Sequence, residues 1–135
     1  MISEEIVVHT GGRAGVFDIT SNIARFCSQF EGGLLSVFVP HATACVAVIE
    51  VGAGSDQDLA AAIDDLLPAE PGRWRHEHGS PGHGRDHVLP AFISPSLTMP
   101  VIDGRPTLGT WQSVVLVDTN IDNQTRKVRL SFVEG

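Results

Sequence analysis

The stretch LLSVFVPHATACVAVIEV, residues 34–51, carries the strongest secondary-structure signal in this chain of 135 residues. Its two runs, Leu34–Val39 and Ala44–Val51, are rich in β-branched and apolar residues, which is the composition typical of strands. Residues 40–43, Pro-His-Ala-Thr, interrupt the apolar pattern. We therefore predict two strands of one sheet, joined by a short polar connection that carries His41.

Helical periodicity flanks these two strands. Apolar residues recur at helical spacing from Ile19 to Phe30, and a second such stripe runs from Ser55, the expected N-cap, to about Leu67. Further strand-like runs are Glu5–Thr10, Ala91–Ser94, Ser96–Val101, Trp111–Asp118 and Thr125–Val133. We expect the last two to form a hairpin closed by residues 120–124. This order predicts a single α+β domain over residues 1–135, with mostly antiparallel β-sheet covered by two helices.

Composition excludes several classes of partner. Nine basic and sixteen acidic residues give a formal net charge of −7, whereas proteins that bind nucleic acid need a basic surface. No apolar run approaches the roughly 18 residues of a membrane span, and the first residues lack the pattern of a signal peptide. We therefore expect a cytoplasmic protein with no nucleic-acid or membrane partner. Cys27 and Cys45 lie within apolar patterns and are expected to be buried free thiols.

Residues 71–87 are unlike the rest of the chain. They include four histidines, three arginines, four glycines and two prolines, with Trp74 as the one large apolar residue. A structureless stretch of this length inside a compact domain is usually functional or disordered. Neutral imidazole is a common metal ligand and can also transfer protons near neutral pH. The spacing of the histidines matches no recognised zinc signature, so a solvated loop without an ion remains the alternative.

Other polar residues have both a structural and a functional interpretation. Glu50 ends an apolar strand and is either exposed at an edge or part of a site. Arg105 follows an Asp-Gly turn and could present a bidentate fork to phosphate. In residues 109–112, Gly-Thr-Trp-Gln, the hydroxyl of Thr110 could bind phosphate. The ring of Trp111 could stack on a heteroaromatic ring or pack in the core.

Taken in order along the chain, these segments resemble the YjbQ family. The resemblance rests on the following motifs: His41-Ala42-Thr43-Ala44 with Glu50 after it, Arg75-His76-Glu77, His87, Ser96-Leu97-Thr98-Met99-Pro100-Val101, and Asp103-Gly104-Arg105 through Leu108-Gly109-Thr110-Trp111-Gln112. They span nearly the whole chain. Two departures stand out: residues 51–54 lack the Asn and Asp that the family more often has there, and His78 and His83 look like additions.

The resemblance implies a homotrimer in which His41, His76 and His87 converge on a divalent metal ion, Mg or Zn, or on an anion. It also implies a secondary thiamine-phosphate synthase activity, which joins hydroxymethylpyrimidine pyrophosphate to thiazole phosphate and releases pyrophosphate. In that interpretation, the catalytic residues are His41, Glu50, His76 and His87, of which the three histidines also bind the metal and Glu50 orients one of them. The residues expected to bind the small phosphorylated substrate are Arg75, Arg105, Thr110, Trp111 and Gln112. A metal-dependent hydrolase and a non-enzymatic metal- or ligand-binding trimer are the alternatives.

Overall fold

The computed structural model describes residues 1–135 as two antiparallel sheets, three α-helices and one 3₁₀ helix. The elements in chain order are β1 (Ile2–His9), β2 (Gly15–Asp18), α1 (Thr20–Cys27), β3 (Gly32–Phe38), β4 (Ala44–Ile49), α2 (Ser55–Leu66), the 3₁₀ helix (His83–His87), α3 (Leu89–Phe92), β5 (Ser96–Ile102), β6 (Arg105–Pro106), β7 (Ser113–Asp118) and β8 (Thr125–Glu134). One sheet has the order β1-β8-β3-β5-β6 and the other the order β2-β7-β4. The predicted α+β class is confirmed, with one helix more than expected.

The three-stranded sheet is the middle layer of the molecule. In its central strand, Val114 and Leu116 face a core shared with the five-stranded sheet and α1. Val115 and Val117 face a second core, formed with α2 and α3. Because β7 is buried on both faces, its sequence is a continuous apolar run rather than an alternating one. Each large side chain buried in these cores contributes about 1.5–3 kcal/mol of hydrophobic stabilisation.

Two predicted strand pairings are wrong. β3 and β4 were expected in one sheet, but β3 pairs with β5 and β8, whereas β4 pairs with β7. The chain changes sheets after β3 because Pro40 has no N–H to continue the ladder with β8. Likewise β7 and β8 form no hairpin: β7 pairs with β2 and β4, and β8 pairs with β1 and β3. Strand propensity does not specify which sheet a strand joins.

Three local predictions are also corrected. Residues 91–94 were expected to be a strand, but α3 extends to Phe92, since a short apolar run fits either a buried helix or a strand. The N-cap of α2 is Gly54 in a left-handed conformation, not Ser55. Strand β2 was not predicted, and β7 begins at Ser113 rather than Trp111.

Both cysteines are buried and free, as predicted. Burial raises the pKa of the Cys45 thiol to about 12, so this group is unreactive at neutral pH. No helix is both long enough and apolar enough to cross a membrane.

Candidate functional site

Three histidines meet where the 3₁₀ helix packs on the loop before it. His76, His83 and His87 each offer a ring nitrogen, and these atoms all lie within 4.8 Å of one another. The ring centroids of His76 and His87 are 3.9 Å apart, and those of His83 and His87 are 5.5 Å apart. His83 is buried, whereas His76 and His87 are exposed. The group is thus open to solvent on one side.

Two glycines make this close approach possible. A Cβ atom at Gly84 would lie 2.5 Å from the carbonyl oxygen of His76, so the 3₁₀ helix packs directly on the backbone that carries His76. Gly82 precedes the helix with φ +77°, and a Cβ atom there would lie 2.4 Å from the carbonyl oxygen of Ala69. A side chain at either position would push the helix away from the loop.

The ring of His83 is oriented by a hydrogen bond. Its Nδ1 lies 3.0 Å from the carbonyl oxygen of Ser80, which can only accept, so Nδ1 carries the proton and Nε2 is left with a free lone pair. Ser80 is held in turn by Asp122, whose carboxylate accepts hydrogen bonds from the Ser80 N–H and hydroxyl, both at 3.1 Å. These bonds, the backbone one first, hold the pKa of Asp122 below its ordinary value. A second partner that fixes the tautomer is typical of metal-binding histidines.

Asp86 anchors the 3₁₀ helix between His83 and His87. Its buried carboxylate accepts hydrogen bonds from the Thr119 hydroxyl and, at 3.1 Å, from Nδ2 of Asn120. Burial raises the pKa of Asp86, and the two hydrogen bonds oppose that rise. The helix is therefore fastened to the segment that follows β7.

Asn120 belongs to a larger buried network. Its backbone N–H donates to Oδ1 of Asp118 at 3.0 Å, and Oδ2 of Asp118 forms an ion pair of 2.6 Å with Nε of Arg126. Nη2 of Arg126 also donates to the Thr43 hydroxyl at 2.8 Å. A continuous polar path therefore runs from residue 43, beside the His41 loop, to the histidine-bearing helix.

The donor set fits a zinc ion. Burial lowers the pKa of His87, and the neighbouring His76 and His83 lower it further. A lowered pKa favours the neutral imidazole, which is the form that binds a metal. Three nitrogen ligands suit Zn²⁺, whereas Mg²⁺ prefers oxygen ligands in an octahedral arrangement.

A cavity of about 240 Å³ opens beside His76. Trp74, Glu70 and Glu77 form part of its wall. The indole N–H of Trp74 donates to the Pro68 carbonyl at 2.9 Å, which fixes the ring at this position. Of the three histidines, only His76 lines this cavity.

His41 is not a member of the three-histidine group and lies between β3 and β4. Its Nε2 accepts a hydrogen bond of 2.9 Å from the backbone N–H of Lys127 in β8. The last residue of β3 pairs with Arg129, so His41 satisfies an N–H just beyond the end of that ladder. In this conformation the neutral ring has its proton on Nδ1, which is free to donate. Burial, followed by the charge of Arg126, lowers the pKa of His41.

None of the other predicted site residues lines the cavity beside His76. Arg105 lines a separate open depression with Ser28, and Oε1 of Gln112 accepts a hydrogen bond of 2.8 Å from the N–H of Gly109. Those with exposed side chains are Glu50, Arg75, Arg105, Thr110, Trp111 and Gln112. Among them, only Arg75 is adjacent in sequence to a histidine of the group.

Residues that the sequence did not single out complete the site. His83, which lies outside the family motifs, is the buried member of the group. Asp86 and Asn120 cannot be identified from the sequence because their roles depend on contacts between distant segments. Arg85, in the basic cluster of the loop, is also structural: its Nη1 lies 2.6 Å from Asp64 in α2. The four-residue interval between His83 and His87 is a local signal for a shared side of an α-helix, but the segment is a 3₁₀ helix, in which residues three apart align.

Comparison with known proteins identifies the family. Residues 4–135 match the family model described as UPF0047 protein YjbQ-like. The chain is 59% identical over 123 residues to UPF0047 protein Mb2586c of Mycobacterium bovis, covering 91% of this chain and 95% of that protein. It is 27% identical to a UPF0047 protein of Archaeoglobus fulgidus, with 92% and 95% covered.

Solved structures share the fold. The crystal structure of hypothetical protein APE1520 from Aeropyrum pernix K1 matches with a TM-score of 0.89 and 31% identity, covering 100% of both chains. A YbjQ-like protein from Sulfolobus solfataricus P2 matches with a TM-score of 0.90 over 99% of this chain and 97% of its own, at 22% identity. Since the family model covers nearly the whole sequence and the fold agrees over its full length, this chain belongs to the YjbQ (UPF0047) family.

Proposed function

We propose that this protein is a metal-dependent enzyme that binds Zn²⁺ through His76, His83 and His87 and acts on a small phosphorylated molecule. The observation that carries the proposal is the approach of three histidine ring nitrogens to within 4.8 Å of one another. Three protein ligands with a fourth position open are characteristic of catalytic zinc, whereas structural zinc sites are closed by four. The cavity beside His76 supports the proposal because it offers a space next to one of the three histidines where a small molecule could bind.

The reaction we propose is that of a secondary thiamine-phosphate synthase. The ring nitrogen of thiazole phosphate forms a bond to the methylene carbon of hydroxymethylpyrimidine pyrophosphate, and the bond from that carbon to the pyrophosphate oxygen breaks. A bound metal ion would supply positive charge where the departing pyrophosphate develops negative charge. Arg75 is exposed beside His76 and is the arginine best situated to pair with a phosphate. Arg85 is less suited, since Asp64 already neutralises it.

We further propose that the protein works as a cytoplasmic homotrimer. Free buried cysteines without a disulfide support a reducing compartment. Support for a subunit interface comes from exposed apolar residues on the outer side of the five-stranded sheet, namely Val7, Leu34, Phe38 and Val133, and from Trp111 with 73% exposure. A neighbouring subunit could then contribute His41, Glu50, Arg105, Thr110, Trp111 or Gln112 to the histidines of this chain.

Zinc analysis and product formation test the proposal together. Untagged protein should bind one zinc per chain and, given both substrates, should form thiamine phosphate and pyrophosphate. His87→Ala should lose both properties, whereas His9→Ala, which removes an exposed histidine of β1, should lose neither. Wild-type protein without zinc affinity would refute the metal site.

Mixing two inactive variants tests whether subunits share a site. If His41 acts on a neighbouring chain, His41→Ala and His87→Ala subunits that are unfolded and refolded together should regain part of the activity. Sedimentation of the wild-type protein should give the mass of three chains. A monomer would contradict the trimer and leave His41 as a structural residue.

The three-histidine donor set also favours a second candidate, a zinc-dependent phosphohydrolase. An open position beside three imidazoles is the arrangement that activates water in zinc hydrolases. Incubation with each phosphorylated substrate alone distinguishes the two, because a hydrolase releases phosphate or pyrophosphate without the second substrate. Zinc binding without any product would identify a binding protein.

A further inference from the structure

A fourth histidine, His78, lies at the edge of the candidate zinc site. Its ring centroid is 5.8 Å from that of His76, and the two rings are nearly perpendicular at 87°. The side chain is exposed and takes no part in the hydrogen bonds that hold His83 and Asp86. Its ring can therefore change position without breaking the hydrogen bonds that hold His83 and Asp86.

Three of the four ring spacings are near the value expected for a shared metal ion, and the His76–His87 spacing of 3.9 Å is shorter. With zinc–nitrogen bonds of about 2.0 Å in a tetrahedral arrangement, the centroids of two histidine ligands lie about 5 Å apart. The His76–His83 centroids are 4.8 Å apart, and the His76–His78 distance of 5.8 Å is close to the same value. His78 neighbours only His76 among the three rings in this arrangement, so its ligation requires the side chain to rotate toward the ion.

The backbone after His78 keeps it near the site. Gly79 has φ +103°, and a Cβ atom there would lie 3.0 Å from Cε1 of His83 and 2.8 Å from Oδ2 of Asp122. The chain thus passes directly over the His83 ring one residue after His78. Ser80 is then fixed by Asp122. His78 therefore lies between Glu77, which follows His76 in the chain, and Gly79, whose backbone contacts the ring of His83.

We propose that His78 is a reversible fourth ligand of the zinc site, one that closes the coordination sphere without substrate and yields its position to a phosphate oxygen. This inference rests on the zinc binding proposed above. Four nitrogen ligands complete a tetrahedral zinc and exclude water, whereas three leave a position for the substrate. The site therefore stays closed until an anionic oxygen competes for the metal.

Nitrogen NMR of the histidine rings tests this directly. In ¹⁵N-labelled protein, one equivalent of zinc should shift ring nitrogens of four histidines, and His78→Ala should remove one of the four sets of signals. Inorganic phosphate should then return the His78 signals alone toward their zinc-free positions. Zinc affinity, measured against a chromophoric chelator, should be at least about tenfold weaker in His78→Ala because a ligand is lost. The control variant His9→Ala should keep the wild-type affinity.

The possible outcomes separate the two proposals. If zinc shifts only His76, His83 and His87, or if His78→Ala binds zinc as tightly as wild type, the role of His78 is refuted and the three-histidine site stands. If zinc shifts none of them, the proposed function fails and this inference fails with it. If His78 shifts but phosphate leaves it in place, the fourth ligand is permanent and the reversible role is refuted.

Discussion

Replacing Asp86 with asparagine tests whether the buried network positions the metal-binding histidines. The carboxylate of Asp86 accepts hydrogen bonds from Thr119 and from Nδ2 of Asn120. An asparagine has one acceptor oxygen: its NH₂ group must face either the NH₂ of Asn120 or the hydroxyl of Thr119. In either orientation the charge that strengthens these hydrogen bonds and pairs with Nε of Arg85 at 3.6 Å is lost, at a cost of about 1.5–3 kcal/mol. For a chain of this length, we expect the melting temperature to fall by roughly 4–10 °C.

The effect on zinc should be separable from the effect on stability. Loss of a group that orients metal ligands typically weakens metal affinity about 10–100-fold. We therefore expect Asp86→Asn to bind zinc at least about tenfold more weakly in a chelator competition at 25 °C, where the protein is still folded. Val101→Ala provides the matched control, because it destabilises the core beside the five-stranded sheet without touching the network.

A second substitution provides a rescue. In Asp86→Asn with Asn120→Asp, the amide and the carboxylate exchange places. Asn at position 86 can then accept from Thr119 and donate to Asp at position 120, so both hydrogen bonds return. The double variant should recover at least half of the lost melting temperature and zinc affinity. If Asp86→Asn weakens zinc binding no more than Val101→Ala does, the network has no positioning role.

Three further predictions concern packing, the buried ion pair and pH. Gly84→Ala should weaken zinc binding and lower the melting temperature, since its Cβ would overlap a backbone carbonyl at 2.5 Å, whereas Gly32→Ala, with its nearest contact at 3.5 Å, should do neither. Arg126→Ala should lower the free energy of unfolding, measured in urea, by about 3–5 kcal/mol, because the buried Asp118 loses its partner. A loss smaller than the one caused by breaking an exposed ion pair would contradict this. Because protons compete with the metal for imidazole nitrogens, zinc affinity should fall as the pH drops from 8 to 5, and the lowered pKa of His87 delays its part of that loss; an affinity that stays constant over this range would contradict ligation by histidine. The free energy of unfolding should also fall as the pH drops below 6.5, because the unfolded chain then binds more protons at His87 than the folded chain does.

The sequence predicted elements better than their arrangement. The composition of Leu34–Val39 and Ala44–Val51 located two strands within a few residues. Their separation into two sheets depends on Pro40 and on two backbone hydrogen bonds, from the N–H of Val39 to the Pro95 carbonyl and from the N–H of Val46 to the Ser94 carbonyl. Those contacts join distant segments, so no local pattern contains them.

The candidate site was predictable only in part. The motifs of a family point to His76 and His87, while His83 lies outside those motifs and looks like an addition. What brings His83 to the site is the absence of side chains at Gly82 and Gly84, together with a carbonyl at Ser80. Close backbone approach of this kind is a tertiary property. The roles expected for Glu50, Arg105 and Trp111 remain predictions.

The two-sided burial of β7 has a consequence for the register of the strand. Since Val114 to Val117 are apolar toward both cores, sliding the strand by one residue would exchange its faces at little hydrophobic cost. Asp118 removes this freedom, because a slip would separate its carboxylate from Arg126 and leave a charge in an apolar layer. The buried ion pair between Asp118 and Arg126 therefore sets the register of β7. It fixes where the strand ends, and so fixes Thr119 and Asn120 beneath the histidine-bearing helix.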